Sequence, residues 1–455
     1  EPPVIDLLAE GVDTHFDKIL ALLGYIARKK PSPVIDSVMC WRKSKSEVAS
    51  MAAQEVERVM QLARAANLLA PAPLIPSTEY SNVVLSPVNI GKAKRSLSLM
   101  RTKSLSKLSH RRAVSSSTTS QSTSSTLTAA STVVGSNGGL MIEDAKAKEL
   151  DFRILQARET AVQADRKSLA SIYILCRVLL EVVRQAPQEI IGGDLGVKLE
   201  EIVYTQLKTT DPISTSELLV RLANWNLFAQ LLGIMLEKRF ISVSDRFIAD
   251  LEKVPPHISN PNDEPRLHLL IHGMKYLKLS NFPLEKFEES ADFMQLIGKF
   301  FSKAQNDLVV FAYCDVIDNL VLTLAGNLTA EVNHPTWVES VRSIYEKGKR
   351  IGSRYDPNLN SSKDANAISE ICWQHCVLLL SSILSVAPKE LFSEHWMDFI
   401  ESNLYKLKSK VPIEDRLTFI VGVNRLLWVY LYRLPDSLNN MVKKLYTIFS
   451  ILFLN

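Results

Sequence analysis

The side chains best suited to chemistry in this sequence are one serine and two basic residues that precede it. His110 lies five residues before Ser115, and Arg112 lies three residues before it. Basophilic protein kinases hold cations at these spacings in acidic pockets, where a guanidinium makes paired hydrogen bonds to carboxylates. The spacing therefore predicts that Ser115 is a regulatory phosphorylation site and that His110 and Arg112 are kinase-recognition residues. Ser104 follows Arg101 by three residues but lacks the histidine, so we expect a weaker site there.

These residues lie in a segment whose composition differs from the rest of the chain. Residues 91–139 change from basic to almost pure Ser/Thr and then to Gly-rich, and they contain no acidic residue. Their apolar content is too low to offset the entropy lost on ordering, so we predict a disordered insert over residues 77–140. The alternative is a tether that contains the kinase string by chance. Eight cations occur here: Lys92, Lys94, Arg95, Arg101, Lys103, Lys107, Arg111 and Arg112.

Positive charge is concentrated in this insert. The whole chain has a net charge of +4, and without the eight insert cations the rest of the sequence carries −4. A nucleic-acid-binding domain would carry its excess cations on a folded surface, so we expect no nucleic-acid partner. A weak contact between the basic insert and an anionic membrane surface stays open.

A search for a catalytic, cofactor or metal site finds one weak candidate. Helical spacing places Cys372, His375 and Cys376 on neighbouring faces of one turn, but a structural zinc needs a fourth ligand and the flanking residues are apolar. A packed core helix is the favoured interpretation. The motifs of nucleotide-binding loops, serine hydrolases and zinc proteases do not occur. We therefore expect no catalytic residue, no cofactor and no metal.

Trp41, Arg42 and Lys43 are candidates for partner binding. They form a basic, aromatic edge after two prolines, and Trp and Arg are the residues that most often dominate binding energy at interfaces. The competing interpretation places Trp41 in the core of a helical hairpin while the cations stay solvated. Trp428 lies among apolar residues at helical spacing, so we predict that it packs in the core.

Hydrophobic periodicity is helical almost throughout the chain. A helical block over residues 1–76 precedes the insert, with predicted helices over 4–30, 33–41 and 46–67. One very long helix, or a tightly joined pair of helices, is predicted over 142–185. Shorter helices separated by brief polar or proline-bearing breaks follow it, among them 284–303, 335–348 and 413–433.

Such a series predicts an all-α fold. Residues 141–455 are expected to form a degenerate HEAT/armadillo-like α-solenoid of antiparallel helix pairs, because no clean sequence period is present. The apolar last residues lead us to expect further repeats beyond residue 455.

Cysteine usage and hydropathy bear on location. The five cysteines are odd in number and scattered in apolar runs, a pattern typical of a reducing compartment. No signal peptide is recognised, and the longest apolar runs fall short of the roughly 18 to 20 residues that a membrane span needs. We expect a cytoplasmic protein.

Four ordered blocks resemble the N-terminal region of the Furry family, the very large cell-morphogenesis proteins of fungi and animals. The first block resembles the fungal members in particular. The blocks are residues 33–45 (PVIDSVMCWRKSK), residues 218–253 with ANWNLFAQLLGIMLEKRFISVSDRF, residues 272–296 (HGMKYLKLSNFPLEKFEESADFMQL) and residues 425–433 (RLLWVYLYR).

The resemblance implies a non-enzymatic HEAT/armadillo-like scaffold. Members of the family work with NDR/LATS-type protein kinases, MOB coactivators and upstream germinal-centre-type kinases, at sites of polarised growth or the cell cortex. The alternative function is an α-solenoid transport or trafficking adaptor that binds peptide cargo. A ladder of Trp and Asn side chains facing a groove would favour that alternative, and Trp225 between Asn224 and Asn226 is a single instance. A cryptic enzyme ranks third.

Overall fold

The computed structural model describes residues 3–65, 138–255, 260, 263–355, 367–408 and 410–454. Within these ranges the chain forms α-helices and short 3-10 turns and contains no strand. The all-α class expected from the sequence is confirmed. The α-helices are α1 Val4–Leu7, α2 Thr14–Ala27, α3 Pro31–Ala65, α4 Gly138–Gln185, α5 Gln188–Gly192, α6 Asp194–Thr209, α7 Pro212–Glu217, α8 Leu219–Leu236, α9 Phe240–Leu251, α10 Asp263–His272, α11 Leu284–Lys303, α12 Asp307–Leu322, α13 Pro335–Tyr355, α14 Ala367–Ser385, α15 Lys389–Asn403, α16 Ile413–Arg433 and α17 Leu438–Leu454.

The chain divides into two compact units. The first unit contains residues 1–40 and 172–455, and the second contains residues 41–171, so α3 and α4 contribute to both. The second unit is a helical hairpin with a small core of Val59, Ala63 and Ile154. The predicted three-part division stays a prediction, since residue 76 lies outside the described residues and residue 140 lies within α4.

The first unit has two layers of helices. In one layer α6 packs on α8, α10 on α12, α12 on α14 and α14 on α16, while α8 packs on the 3-10 turn Gly273–Tyr276 that continues α10. In the other layer α9 packs on α11 and α11 on α13. The layers meet where α9 packs on α8 and where α13 packs on α14. Within each layer the packed helices are thus two places apart along the chain, which is the packing of an α-solenoid.

Two predicted helix boundaries near the N-terminus were wrong. The single helix expected over residues 4–30 is interrupted by a turn in which Gly11 has a φ of +80°. Asp13 then begins α2 by accepting hydrogen bonds from the backbone N–H groups of His15 and Phe16. The break expected between residues 41 and 46 is absent, because α3 is continuous from Pro31 to Ala65.

The predicted end of α13 at Gly348 was also wrong. A Cβ atom added at Gly348 would lie 3.0 Å from Leu380 Cδ2 on α14. The glycine therefore permits close approach of α13 to α14 instead of ending the helix, which continues to Tyr355. This extension carries Lys349, Arg350 and Arg354.

One helix among the described residues, α8, meets the length and hydropathy of a membrane span, which corrects the expectation from the sequence. Its 18 residues have a mean hydropathy of 1.3, and 56% of them are buried by other parts of the protein. A core helix passes the same test, because a helix buried on all sides is apolar on all sides. The bent pair of α16 and the start of α17 passes only when both are counted as one span.

The predicted core position of Trp428 was wrong. Its side chain is 56% exposed, because α16 turns Phe419, Leu426 and Val429 towards the core instead. Trp337, and not Trp428, lies in the core. It is fully buried, and its Nε1 donates a hydrogen bond to the Val386 carbonyl at 3.0 Å.

Trp337→Ala should cost about 3 to 5 kcal/mol of unfolding free energy, since it leaves a cavity and an unpaired carbonyl. Trp428→Ala should cost less than about 1 kcal/mol, as expected for an exposed side chain. Urea unfolding followed by circular dichroism measures both. Equal destabilisation by the two substitutions would contradict the assignment of Trp428 to the surface.

Candidate partner-binding surface

The predicted phosphorylation site and its recognition residues lie outside the described residues. These are Ser104, His110, Arg112 and Ser115, and their roles stay predictions.

The predicted partner-binding residues lie together on α3, within the second unit. Trp41 is 39% exposed, so the interpretation that it fills the core of the hairpin was wrong. Arg42 is half-buried, and the exposed Lys43 lies 3.9 Å from Glu47, one turn further along. Exposed ion pairs of this kind contribute little to stability, so Lys43 is available to a partner at small cost. The binding role of the three residues stays a prediction.

The helix places Trp41 in line with a groove. Ala52, Glu55, Val59 and Leu62 follow Trp41 on the same helical face, and they line one side of a groove of about 350 Å³ between α3 and α4. The residues from α4 are Leu150, Arg153, Gln156, Ala157 and Thr160. An apolar floor with charged edges is the arrangement that accepts an amphipathic helix.

The edges of the groove are already neutralised by pairs within each helix. Arg58 donates to Glu55 at 2.6 Å, and Arg153 donates to Glu149 at 2.7 Å. The groove therefore contributes shape and apolar contact.

The three residues of the weak metal candidate do not converge on a common point. Cys376 Sγ lies 3.9 Å from Cys314 Sγ, whereas His375 Nδ1 lies 3.3 Å from Asp315 Oδ1. Burial raises the pKa of the Cys372 thiol to about 12, which keeps it protonated at neutral pH. Among the described residues, no group of three or more His, Cys, Asp and Glu side chains is placed to hold a metal ion.

The structure does bring together a set of histidines that the sequence did not indicate. His272 Nδ1 lies 3.6 Å from Asp315 Oδ2, and the rings of His268 and His272 have centroids 4.5 Å apart. Together with His375 they bridge α10, α12 and α14. The sequence does not show this cluster, because His375 is far from His268 and His272 along the chain and only the packing of the layer makes them neighbours.

His268 stays neutral in the folded protein near neutral pH. Burial, followed by the nearby charge of His272, lowers the pKa of His268 to about 3, although Asp315 acts in the opposite direction. Its Nε2 is buried and has no hydrogen-bond partner among the described residues.

The residues that could have supported a cargo adaptor do not face an open groove. Trp225 and Asn224 are buried, and Asn226 accepts a hydrogen bond from Lys275 Nζ at 2.8 Å. Lys275 also lies over the Trp225 ring at 5.7 Å. These contacts are part of the packing of α8 against the 3-10 turn that follows α10.

The helices stacked in two layers in the first unit define an α-solenoid. Residues 165–455 match the family model described as "Cell morphogenesis N-terminal". The chain belongs to this family, the N-terminal region of the fungal Furry-family proteins.

Two curated relatives support this assignment. The chain is 46% identical over 455 residues to "Cell morphogenesis protein PAG1" of Saccharomyces cerevisiae, covering 98% of this chain and 18% of the relative. It is 31% identical over 267 residues to "Cell polarity protein mor2" of Schizosaccharomyces pombe, covering 58% of this chain and 11% of the relative. The chain thus spans less than a fifth of either relative. No solved structure matches.

The buried imidazole of His268 should make stability depend on pH. Between pH 6.5 and about 3 the unfolded chain binds a proton at this residue that the folded chain does not, so stability falls as the pH falls. From pH 7 to pH 5 this residue should account for a loss of about 2 kcal/mol. His268→Phe should remove that part of the loss in urea unfolding at the two pH values.

His15→Ala provides the control, because it removes an exposed histidine far from this cluster in the sequence. A loss in His268→Phe as large as in the wild type would show that His268 does not carry the effect.

Proposed function

We propose that this chain is part of a non-enzymatic scaffold for an NDR/LATS-type kinase, its MOB coactivator and an upstream germinal-centre-type kinase. It would act in the cytoplasm, at sites of polarised growth or the cell cortex. Family membership is the observation that carries the proposal. The names of both relatives support the coarser statement, which is a role in cell morphogenesis and polarity.

The scaffold would act by raising the effective concentration of one partner for another. Two proteins held on one chain meet in an intramolecular step. Their effective concentration for each other is then higher than in free solution, although no new contact forms between them. A stack of packed helices suits this role, because its surface offers neighbouring sites whose spacing is fixed by the core. The proposal requires at least one such site on this chain.

We assign the first docking site to Trp41, Arg42 and Lys43. An exposed Trp loses a large apolar area to water when a partner covers it, and a neighbouring guanidinium can pair with a partner carboxylate. These are the features of residues that dominate interface energies. The predicted substrate string in the insert, His110, Arg112 and Ser115, would then be presented to the docked kinase.

Trp41→Ala should weaken binding of the purified kinase–MOB complex by about tenfold or more, because hot-spot residues of this type carry at least 1 to 2 kcal/mol. Biolayer interferometry with the immobilised chain measures the change. Trp428→Ala is the matched control, since it removes another exposed Trp. Equal affinities for wild type and Trp41→Ala would exclude this docking site, and absence of binding by the wild type would exclude the proposed function for this chain.

Ser115→Ala should remove most of the phosphate that the kinase–MOB complex transfers to this chain. Arg112→Ala should reduce transfer because it removes the recognition charge, and Ser104→Ala should have a small effect. Radiolabel incorporation, with sites mapped by mass spectrometry, measures each variant. Equal labelling of wild type, Arg112→Ala and Ser115→Ala would exclude Ser115 as the substrate and would leave docking at Trp41 untouched.

A further inference from the structure

The C-terminal ends of α11 and α13 carry a dense group of exposed cations. We call it the basic cluster, and it consists of Lys299, Lys303, Lys349, Arg350 and Arg354. Three of these five residues lie in the part of α13 beyond Gly348, which the sequence did not indicate as helical.

The two helix ends lie side by side. Gln295 Nε2 lies 3.4 Å from Glu339 Oε2, and further along Lys347 Nζ donates to the carbonyls of Ser302 at 3.2 Å and Ala304 at 3.0 Å. Residue numbers rise together on both helices, so α11 and α13 run parallel. Lys347 thus holds the end of α11 against α13, so the last turns of the two helices, which carry these cations, lie side by side.

Three of the five cations lack an ion-pair partner among the described residues. Elsewhere on the described surface, cations often pair with a carboxylate three or four residues away, as Arg58 does with Glu55. Lys303, Lys349 and Arg350 make no ion pair with any described residue. Glu346 lies three residues before Lys349 without forming an ion pair with it.

The crowding of like charge is large enough to affect Lys347. Burial lowers the pKa of Lys347, and the charges of Arg350 and Arg354 lower it further. An anion bound here would relieve this repulsion.

Helix dipoles do not account for the whole cluster. Cations in the last turn of a helix are stabilised by the partial negative charge of its C-terminus. Lys303 and Arg354 occupy such positions. Lys349 and Arg350 lie more than one turn from the end of α13, and that stabilisation falls off within the last turn.

We propose that the basic cluster binds an acidic peptide segment of a partner protein. This contact is separate from the docking site at Trp41 and does not depend on the identity of the kinase. The partner segment would place several Asp or Glu carboxylates against the guanidinium and ammonium groups at the ends of α11 and α13.

A short peptide fits the charge distribution better than a membrane or a nucleic acid does. The sequence outside the insert carries −4, so a large polyanion would also meet net negative charge. A peptide responds mainly to charges within the screening length of about 8 Å at physiological salt. Beyond Leu284, neither α11 nor α13 has an exposed large apolar side chain that could enter a bilayer.

A fluorescein-labelled Glu-rich peptide, with a Gln-rich peptide of equal length as its neutral control, tests the proposal by fluorescence anisotropy. Wild type should bind the Glu-rich peptide with an affinity that falls as salt rises. Lys349→Glu combined with Arg350→Glu should weaken binding by about tenfold or more. Lys443→Glu combined with Lys444→Glu is the matched control, because these adjacent exposed lysines on α17 give the same change in net charge. This control should shift the affinity by less than about twofold.

Circular dichroism checks that both double variants are folded. If the charge reversal unfolds the chain, the double variant Lys349→Gln with Arg350→Gln removes the two charges with a smaller change. Equal weakening by both charge reversals would show that net charge, and not the cluster, binds the peptide. Failure of wild type to bind the peptide would overturn the proposal, and so would preferential binding to phosphatidylserine vesicles or to duplex DNA. Hydrogen exchange of the wild type with the peptide should show protection at the C-terminal ends of α11 and α13, and protection elsewhere would also overturn it.

Discussion

The stacking of the first unit depends on the guanidinium of Arg425. From α16, Arg425 Nη1 donates to Asp318 Oδ1 on α12 at 2.7 Å and to Ser382 Oγ on α14 at 2.7 Å. It thereby joins three successive helices of one layer across α14, whose residues beyond Cys372 are almost all buried. Removing two charges from water is costly, so such a pair is tolerated only when its geometry satisfies both partners. We regard it as the feature that fixes the register of these helices, because sliding α14 or α16 by one turn would leave Asp318 buried and uncompensated.

Different polar links hold the other parts of the unit. The buried Glu200 carboxylate on α6 accepts from Arg239 at 2.8 Å and from Ser242 at 2.8 Å, and also from Arg246. Burial raises the pKa of Glu200, but these hydrogen bonds outweigh it and hold the pKa below its ordinary value. At the far end, Lys406 pairs with Asp415 at 2.8 Å and lies over the Trp373 ring at 3.6 Å. Because each link uses different residues, the repeats can share a packing geometry without sharing a sequence period.

The sequence predicted the bounds of the helices better than it predicted which helices pack against one another. The bounds of α11 and α16 were correct, because Pro283 and Pro412 directly precede them and their apolar residues recur at helical spacing. The ion pair of Asp318 with Arg425 could not be predicted, since it joins residues 107 positions apart that only the layer packing brings together. The end of α13 was missed because Gly348 is a typical stop signal, although here it serves the close approach of Leu380. The same error hid the basic cluster, which lies beyond that glycine.

Exposure of Trp428 shows why apolar side chains are a poor guide to binding sites in a solenoid. A helix within a layer needs apolar residues on two sides, one for each neighbour, so its sequence pattern cannot show which side is covered. In the described residues α16 packs against α14, while the stripe with Leu417, Ile420 and Trp428 stays exposed. Charge is more informative, because like charges close together repel one another and do not contribute to helix stacking. For this reason Trp41 is a stronger candidate than Trp428, since cations lie beside it, and the cations on α13 are informative without any aromatic residue.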